Sequence, residues 1–542
     1  IGELIARGRA RTLADLKSND TKKLWRAVNG ARNKDVNSMA NLGPIFNDIN
    51  RFFADVATDP DYDRQKVEGF KHKFSQTDLE RFRYYECDVH LALKRVTRTS
   101  QGSDPLPYWF FKLCAFEITP IVTKIFNLIL AESTCPTSWK HSIVTPIPKV
   151  STPRDLGDLR PISVTPILSR VFDRLFVRKF FLCNIPKNDL ADQFAFKPTG
   201  STTAALSYIF SNITETLQSA DHVRCFLIDF SKAFDTVPHA QLLTKLEAQG
   251  CNPVIISWLA DYLTDRTQSL ATNGSCTTPL TVNRGLVQGS GIGPCAFIAY
   301  ISDLKPCSNA TTFCKFADDL TALVRNDAEA EQEMAHIMKW SDHNKLLINL
   351  KKTKEIVVRR ARSHKFVMPH PAFNIEQVGE VSLLGVHFNH NLNFDCHINH
   401  VLQTVSQRLY LMQQLRFQGM SPKCLKIVFD SLVVSKVTYA CSSYSGYLTE
   451  NSVSKLQSIC NKAYRYNMID AKIDIRELFR SADYSLFKKM INNREHCLHA
   501  FLPDIVNRHM YLRKRGHNYE LPLAKNEQHK SSYLVRCFYD FI

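Results

Sequence analysis

An α+β fold follows from three features of the sequence. Between residues 141 and 388, short strand-like runs alternate with helical ones, whereas the stretches before about 131 and after about 400 are helical in pattern. The strand-like runs are rich in Val, Ile, Phe and Thr, and the helical runs space their apolar residues by three and four. Mixing of this kind predicts one sheet domain with helices packed on one face, followed by an appended helical domain.

In chain order, residues 1–87 form a charged helical extension (ARTLADLKSNDTKKLWRAVN). Residues 88–400 make the mixed domain, which opens on an amphipathic helix, a turn at GSDPLP and further helix to about 131. The predicted strands are HSIVTPIPK, VRCFLIDF, TTFCKFADDLTALVR, EIVVRR and VSLLGVHF; the predicted helices between them are TTAALSYIFSNITETLQSA, HAQLLTKLEAQG and EAEQEMAHIMKWSDHNKL. Residues 401–500 read as helices (VLQTVSQRLYLMQQLRFQ, then PKCLKIVFDSLVVSKVTYACSS), and 501–542 as a tail with no assigned role. No internal repeat is present.

The chain of 542 residues is 44% apolar and 22% charged, the composition of a globular protein rather than a disordered or fibrous one. A net charge of +17 points to a polyanionic partner, nucleic acid before membrane. The uncharged stretch 285–302 holds four glycines, a proline and a glutamine, which fits a loop feeding a helix and not a membrane span. Sixteen cysteines without any CxxC pair read as reduced intracellular thiols. The cluster HFNHNLNFDCHINH (387–400) lacks the spacing of a zinc finger, so a metal reading is rejected there. The first residue is Ile and no signal-peptide pattern follows, which suggests a piece of a longer chain.

The chemistry concentrates in acidic residues. Asp229 closes the apolar strand CFLIDF, where a carboxylate is an improbable solubilising charge. Asp318 and Asp319 are adjacent within KFADDLTALV; neighbours in a strand face opposite ways, so the two share a target only at a hairpin turn between FCKF and LTALV. If the strand of Asp229 lies beside that hairpin, three carboxylates converge, and hard oxygen ligands select Mg²⁺. Asp235, six residues after Asp229 and three before Pro238, reads instead as a helix cap.

FLIDFSKAFDTVPH, GLVQGSGIGP, FADD and INLKKTK, in this order, resemble the A to D motifs of reverse transcriptases, and the chain is most similar to those of non-LTR (LINE-type) retrotransposons. IPKVSTPRDLGDLRPISVTPILSRVFDRL resembles their finger motifs, QFAFKPTGSTTAAL the segment before motif A, and VSLLGVHFNHNLNF their primer-grip hairpin. The likeness covers roughly 88–465. Ala195 and Lys197 stand where the family usually has Gly and Arg, and Gly200 where a basic residue is common.

The resemblance implies a right-hand polymerase, with fingers and palm in 88–400 and a helical thumb in 401–500. It implies an RNA-directed DNA polymerase that uses two Mg²⁺, with Mn²⁺ as a substitute, and takes an RNA template, a DNA primer or target and dNTPs, in the nucleus and without a membrane. Asp229, Asp318 and Asp319 would be the metal-binding aspartates, Asp318 the more direct, with the Phe230 carbonyl as a further ligand. Phe234 would gate against a ribose 2′-OH, Gln288 and Gly289 would face the nucleotide, Lys149 and Arg160 the triphosphate, and Lys352 would donate a proton to the leaving pyrophosphate. The basic run KKTKEIVVRRARSHK would contact the duplex backbone. The nicking endonuclease of such elements has no counterpart in 1–86, so the chain is expected not to cut DNA unaided. Two alternatives stand beside this reading: an RNA-dependent RNA polymerase, against which Phe234 and Ala317 argue, and a catalytically inactive RNA-binding descendant.

Overall fold

A computed structural model describes residues 45–71, 80–150, 153–271, 276–360, 366–505 and 517–541, together with Ala14, Leu24, Trp25 and Val28. Most of the extension before residue 45, the end of the basic run (361–365) and the start of the tail (506–516) therefore lie outside the described residues. The strands are β1 (His141–Pro148), β2 (Leu159–Val164), β3 (His222–Ile228), β4 (Arg266–Leu270), β5 (Leu280–Val282), β6 (Thr311–Phe316), β7 (Asp319–Val324), β8 (Lys354–Arg359), β9 (Glu376–Gln377), β10 (Glu380–Leu383) and β11 (Val386–Asn389).

Strand β3 is the axis of a five-stranded sheet ordered β6-β7-β3-β8-β9, in which β3 runs antiparallel to both β7 and β8. A second sheet, β2-β1-β4-β5, is mixed, with β1 and β4 parallel. The pair β10–β11 forms the hairpin expected from VSLLGVHF, turning at Leu384 and Gly385, both with positive φ. Each predicted strand and helix of 141–388 is present.

One expectation is corrected. Helices cover both faces of the β3 sheet, not one. Phe226, Ile228, Leu320, Ala322 and Val324 enter a core shared with the helices His239–Ala248, Pro253–Leu263, Gly293–Tyr300 and Asp327–His343. Val223, Cys225, Leu323, Ile356 and Val358 point the other way, into a core shared with the helices Thr202–Thr216, Asp395–Phe417 and Glu450–Arg465. The reason is physical: these strands are apolar almost without alternation, the pattern of a sheet buried on both sides. Arg224, the charge in this run, donates from Nε to Glu355 Oε1 at 2.6 Å and from Nη2 to the His370 carbonyl at 2.9 Å, so it is buried but satisfied. The helix Asp395–Phe417 also runs straight through residue 400, so a boundary drawn there cuts a single element.

The segments outside the mixed domain are stitched onto it. The helix Phe46–Val56 lays Ile49 and Phe53 against Val144, Leu159 and Leu270. The Asn283 and Arg284 backbone N–H groups donate to the Ala57 carbonyl at 3.0 and 3.1 Å. At the other end the helix Tyr533–Asp540 inserts Tyr533, Leu534, Cys537 and Phe538 into the second core. Arg536 Nη2 there donates to Asp483 Oδ2 at 2.7 Å, to the Ser442 carbonyl at 3.0 Å and to Ser445 Oγ at 2.9 Å. The tail, to which the sequence assigned no role, is thus part of the packing. No described helix is long and apolar enough to cross a membrane.

Removing one partner of a buried ion pair strands the other charge, at a cost of about 3–5 kcal/mol. Arg536→Ala is therefore expected to lower unfolding stability by about 3 kcal/mol. Arg476→Ala, whose pairing with Glu450 is solvent-exposed, leaves the denaturation midpoint almost unmoved. Equal midpoints for the two variants in urea would show that the tail contributes nothing.

Candidate active site

The predicted hairpin turn exists. Phe316 and Asp319 close the β6–β7 ladder, which leaves Ala317 and Asp318 as a two-residue turn with Ala317 at φ +57°. A left-handed non-glycine residue costs about 1–2 kcal/mol, so the turn needs external support. Gln193 supplies it: its Oε1 accepts from the Ala317 backbone N–H at 3.0 Å, and from the N–H groups of Phe194 and Ala195 at 3.1 and 3.0 Å. Residues 192–194 dock along β6, Phe194 N–H donating to the Lys315 carbonyl and Lys315 N–H to that of Asp192, both at 2.8 Å. The buried Lys315 ammonium pairs with Asp192 at 3.0 Å.

Strand β3 brings the third carboxylate. Ile228 pairs with Leu320, so one step further out Asp229 emerges beside Asp319 at the sheet edge. Burial, and then Asp229, raise the pKa of Asp318; burial, and then Asp318 and Asp229, push Asp319 up to about 6, although its outer side stays open to solvent. Asp318 lines the pocket in front of the edge, together with Asp229, Phe230, Lys232, Phe234, Asp235, Gln288, Lys149, Arg160 and Lys352. The Asp229 carbonyl is occupied by the Asn349 N–H at 2.7 Å, whereas that of Phe230 accepts from no described group. Lys352 Nζ stands 3.8 Å from Asp229 Oδ2 and is mostly exposed. Lys149 donates to the Gly157 carbonyl at 2.7 Å, and burial and the adjacent Arg160 lower its pKa. Phe234 stacks on Phe297 at 4.4 Å between centroids. Among the described residues, no three His, Cys, Asp or Glu side chains form a ready-made metal cage.

The profile of the reverse transcriptase (RNA-dependent DNA polymerase) family matches residues 147–388, a span that contains every residue just named. Residues 147–388 are a reverse transcriptase domain. The chain is 24% identical over 425 residues to the probable RNA-directed DNA polymerase from transposon X-element of Drosophila melanogaster, covering 74% of this chain and 46% of that protein. It is 21% identical over 401 residues to the RNA-directed DNA polymerase from mobile element jockey of the same species, covering 69% and 43%. A type-2 retrotransposable element R2DM polyprotein of that species is 28% identical over 240 residues, 42% of this chain and 22% of that one. The chain thus spans less than half the length of these relatives. A solved telomerase from Candida tropicalis, complexed with a fragment of telomeric RNA, aligns over 69% of this chain and 65% of its own at 12% identity, with a TM-score of 0.36. Reverse transcriptase domains use divalent metal ions, and the fold is the mixed α+β class expected.

Within this reverse transcriptase domain the loop 288–291 is held at three points. The Ser163 N–H donates to the Gln288 carbonyl at 2.7 Å. Gly289 lies at φ +117°, where any Cβ would collide with the Ser163 carbonyl oxygen; it packs on β2 and does not line the pocket. The third point is Asp173, fully buried on the helix Ile167–Phe176, whose Oδ2 accepts from the Gly291 N–H at 3.0 Å. Burial pushes the Asp173 pKa up to about 7.

Asp235 corrects the sequence reading. It caps no helix: Pro238 occupies the N-cap of His239–Ala248, and no side chain caps it. Its Oδ1 accepts instead from Gln288 Nε2 at 2.6 Å, and burial raises its pKa to about 6. Gln193, Asp173 and Asp235 are the residues that sequence reasoning missed or misplaced. The one available signal was polarity inside apolar runs, as for the acid in ILSRVFDRLF.

A carboxylate whose pKa is raised in the native state keeps its proton there after the unfolded chain has lost its own, so this cluster costs stability progressively as pH rises from the ordinary carboxylate range to about 6, and in full above it. Asp319→Asn is therefore expected to raise, not lower, the melting temperature of the metal-free protein. Protons compete with cations for the same oxygens, so divalent-ion affinity falls as pH drops through about 6, as calorimetric titration of Mg²⁺ or Mn²⁺ at pH 7.5 and 5.5 would show. Pocket carboxylates that bind cations equally at both pH values contradict the coupling.

Proposed function

We propose that the chain is an RNA-directed DNA polymerase of a non-LTR retrotransposon, which extends a DNA primer on an RNA template by consuming dNTPs. The observation that carries this reading is the meeting of Asp229 with the Asp318–Asp319 turn at one sheet edge, facing a pocket lined by Lys149, Arg160, Lys232 and Lys352. The net charge of +17 suits the two polyanionic strands. Copying onto target DNA places its work in the nucleus.

The residues present fit a pair of Mg²⁺ ions, with Mn²⁺ as a substitute. Burial and mutual repulsion raise the pKa values of Asp318 and Asp319, a penalty that bound cations would offset, and Mg²⁺ is bound through one or two carboxylates plus substrate phosphates and water rather than in an all-protein cage. Asp229, Asp318 and Asp319 would hold the ions, joined by the free Phe230 carbonyl. Bound there, they would stabilise charge on the attacking and leaving oxygens of an in-line displacement.

The other side chains bind and orient. Arg160 suits bidentate contact with a triphosphate, and Lys149 neutralises it beside β2. Lys352, 3.8 Å from Asp229, would deliver its proton to the departing pyrophosphate. Phe234, braced by Phe297, closes the space that a 2′-hydroxyl would need.

Primer extension on an RNA template with Mg²⁺ and dNTPs tests the reading. Asp318→Asn should reduce the rate by about a thousand-fold or more, since several kcal/mol of charge stabilisation is lost. Phe234→Ala should admit ribonucleotides while extension with dNTPs persists. Extension indifferent to Asp318→Asn, or a wild-type preference for NTPs, would sink the proposal.

A further inference from the structure

Asp235 follows the sugar-facing Phe234 in a short turn (Ala233–Asp235) that is fastened along its length. The Leu286 N–H donates to the Phe234 carbonyl at 2.7 Å, the Gly285 N–H to that of Val237 at 2.8 Å, and a side chain at Gly285 would strike the Asp235 backbone. On the other side of the pair, the Gln288 carbonyl is held by the Ser163 N–H at 2.7 Å. Both backbones are thus fixed, and the 2.6 Å hydrogen bond from Gln288 Nε2 to Asp235 Oδ1 joins two anchored groups. Burial pushes the carboxylate's pKa up to about 6, while the Gln288 hydrogen bond, Lys149 and Lys232 favour its charged form, so it is ionised at neutral pH.

An ionised carboxylate only accepts hydrogen bonds, so it tolerates the NH₂ end of the amide and repels the oxygen end. Gln288 Oε1 has no partner among the described residues, and Gln288 lines the pocket. We infer that Asp235 is a positioning residue that locks the Gln288 amide in one of its two orientations, so that the nucleotide pocket presents an acceptor and selects a ligand carrying a hydrogen-bond donor at that point. The inference rests on the polymerase reading above. Asp235→Asn would keep the shape, but the new amide could donate as well as accept, which makes the two orientations of Gln288 nearly equivalent.

The test is single-nucleotide insertion by wild type, Asp235→Asn, Gln288→Ala and the double variant. Asp235→Asn is expected to raise the KM for dNTP about ten-fold, the worth of one well-placed hydrogen bond, with kcat changed by less than about two-fold. In the double variant the loss should equal that of Gln288→Ala alone, because the two side chains act as one unit. An effect equal across the four dNTPs places the donor on the sugar, and a base-dependent effect places it on the base. Additive losses in the double variant, or a loss confined to kcat, overturn the inference. The same four proteins are titrated with each dNTP on a dideoxy-terminated primer–RNA duplex, which reads binding without turnover. A non-additive binding pattern without any insertion counts against the polymerase reading alone.

Discussion

In the pairing of β3 with β7, Ile228 lies opposite Leu320, and the next step along the ladder sets Asp229 beside Asp319. A slip of one residue would turn every side chain of β3 to the opposite face and carry Asp229 away from the turn. The buried pair of Arg224 on β3 with Glu355 on β8 penalises the slip, because it would turn the guanidinium away from its partner and into the other apolar core. Phe226 and Ile228 are committed to one core, and Val223 and Cys225 to the other. The two cores therefore hold three mutually repelling carboxylates at an edge where solvent and cations can reach them.

A second theme is the use of side-chain acceptors to hold neighbouring groups in place. Gln193 grips the turn that carries Asp318, Asp173 grips the N–H of Gly291, and Asp235 grips the amide of Gln288. Each anchor comes from an element other than the one it restrains, so the pocket is assembled across both sheets. The charges are sorted in the same way. Lys149, Arg160, Lys232 and Lys352 surround the pocket whose far wall is acidic, a layout that can neutralise phosphate on one side and gather cations on the other.

Much of this arrangement was legible in the residues. The strands announce themselves by apolar runs, and the two aspartates inside KFADDLTALV force a turn because adjacent strand residues diverge. What escaped was whatever depends on a partner distant in sequence. Asp235 precedes Pro238 by three, a spacing that mimics a cap, and only the approach of Gln288 reveals its use. Gln193 looked like part of a loop until Ala317 came within reach of it. Helices on both faces were hidden because continuous apolar runs say that a strand is covered, not by what. The boundary drawn at 400 falls inside the helix Asp395–Phe417, which shows no break in pattern there.

The outermost described elements alter how the molecule should be divided. Helix Phe46–Val56 lies across β4 and β5 while its end clasps Asn283 and Arg284, and helix Tyr533–Asp540 plugs the core beneath Thr202–Thr216. The stretch that resembles a family, 147–388, is consequently not the stretch that folds as a unit. Kinship and cooperativity have different borders here: excising the recognisable stretch would bare two greasy surfaces, and modularity inferred from descent alone would mislead anyone trimming the gene.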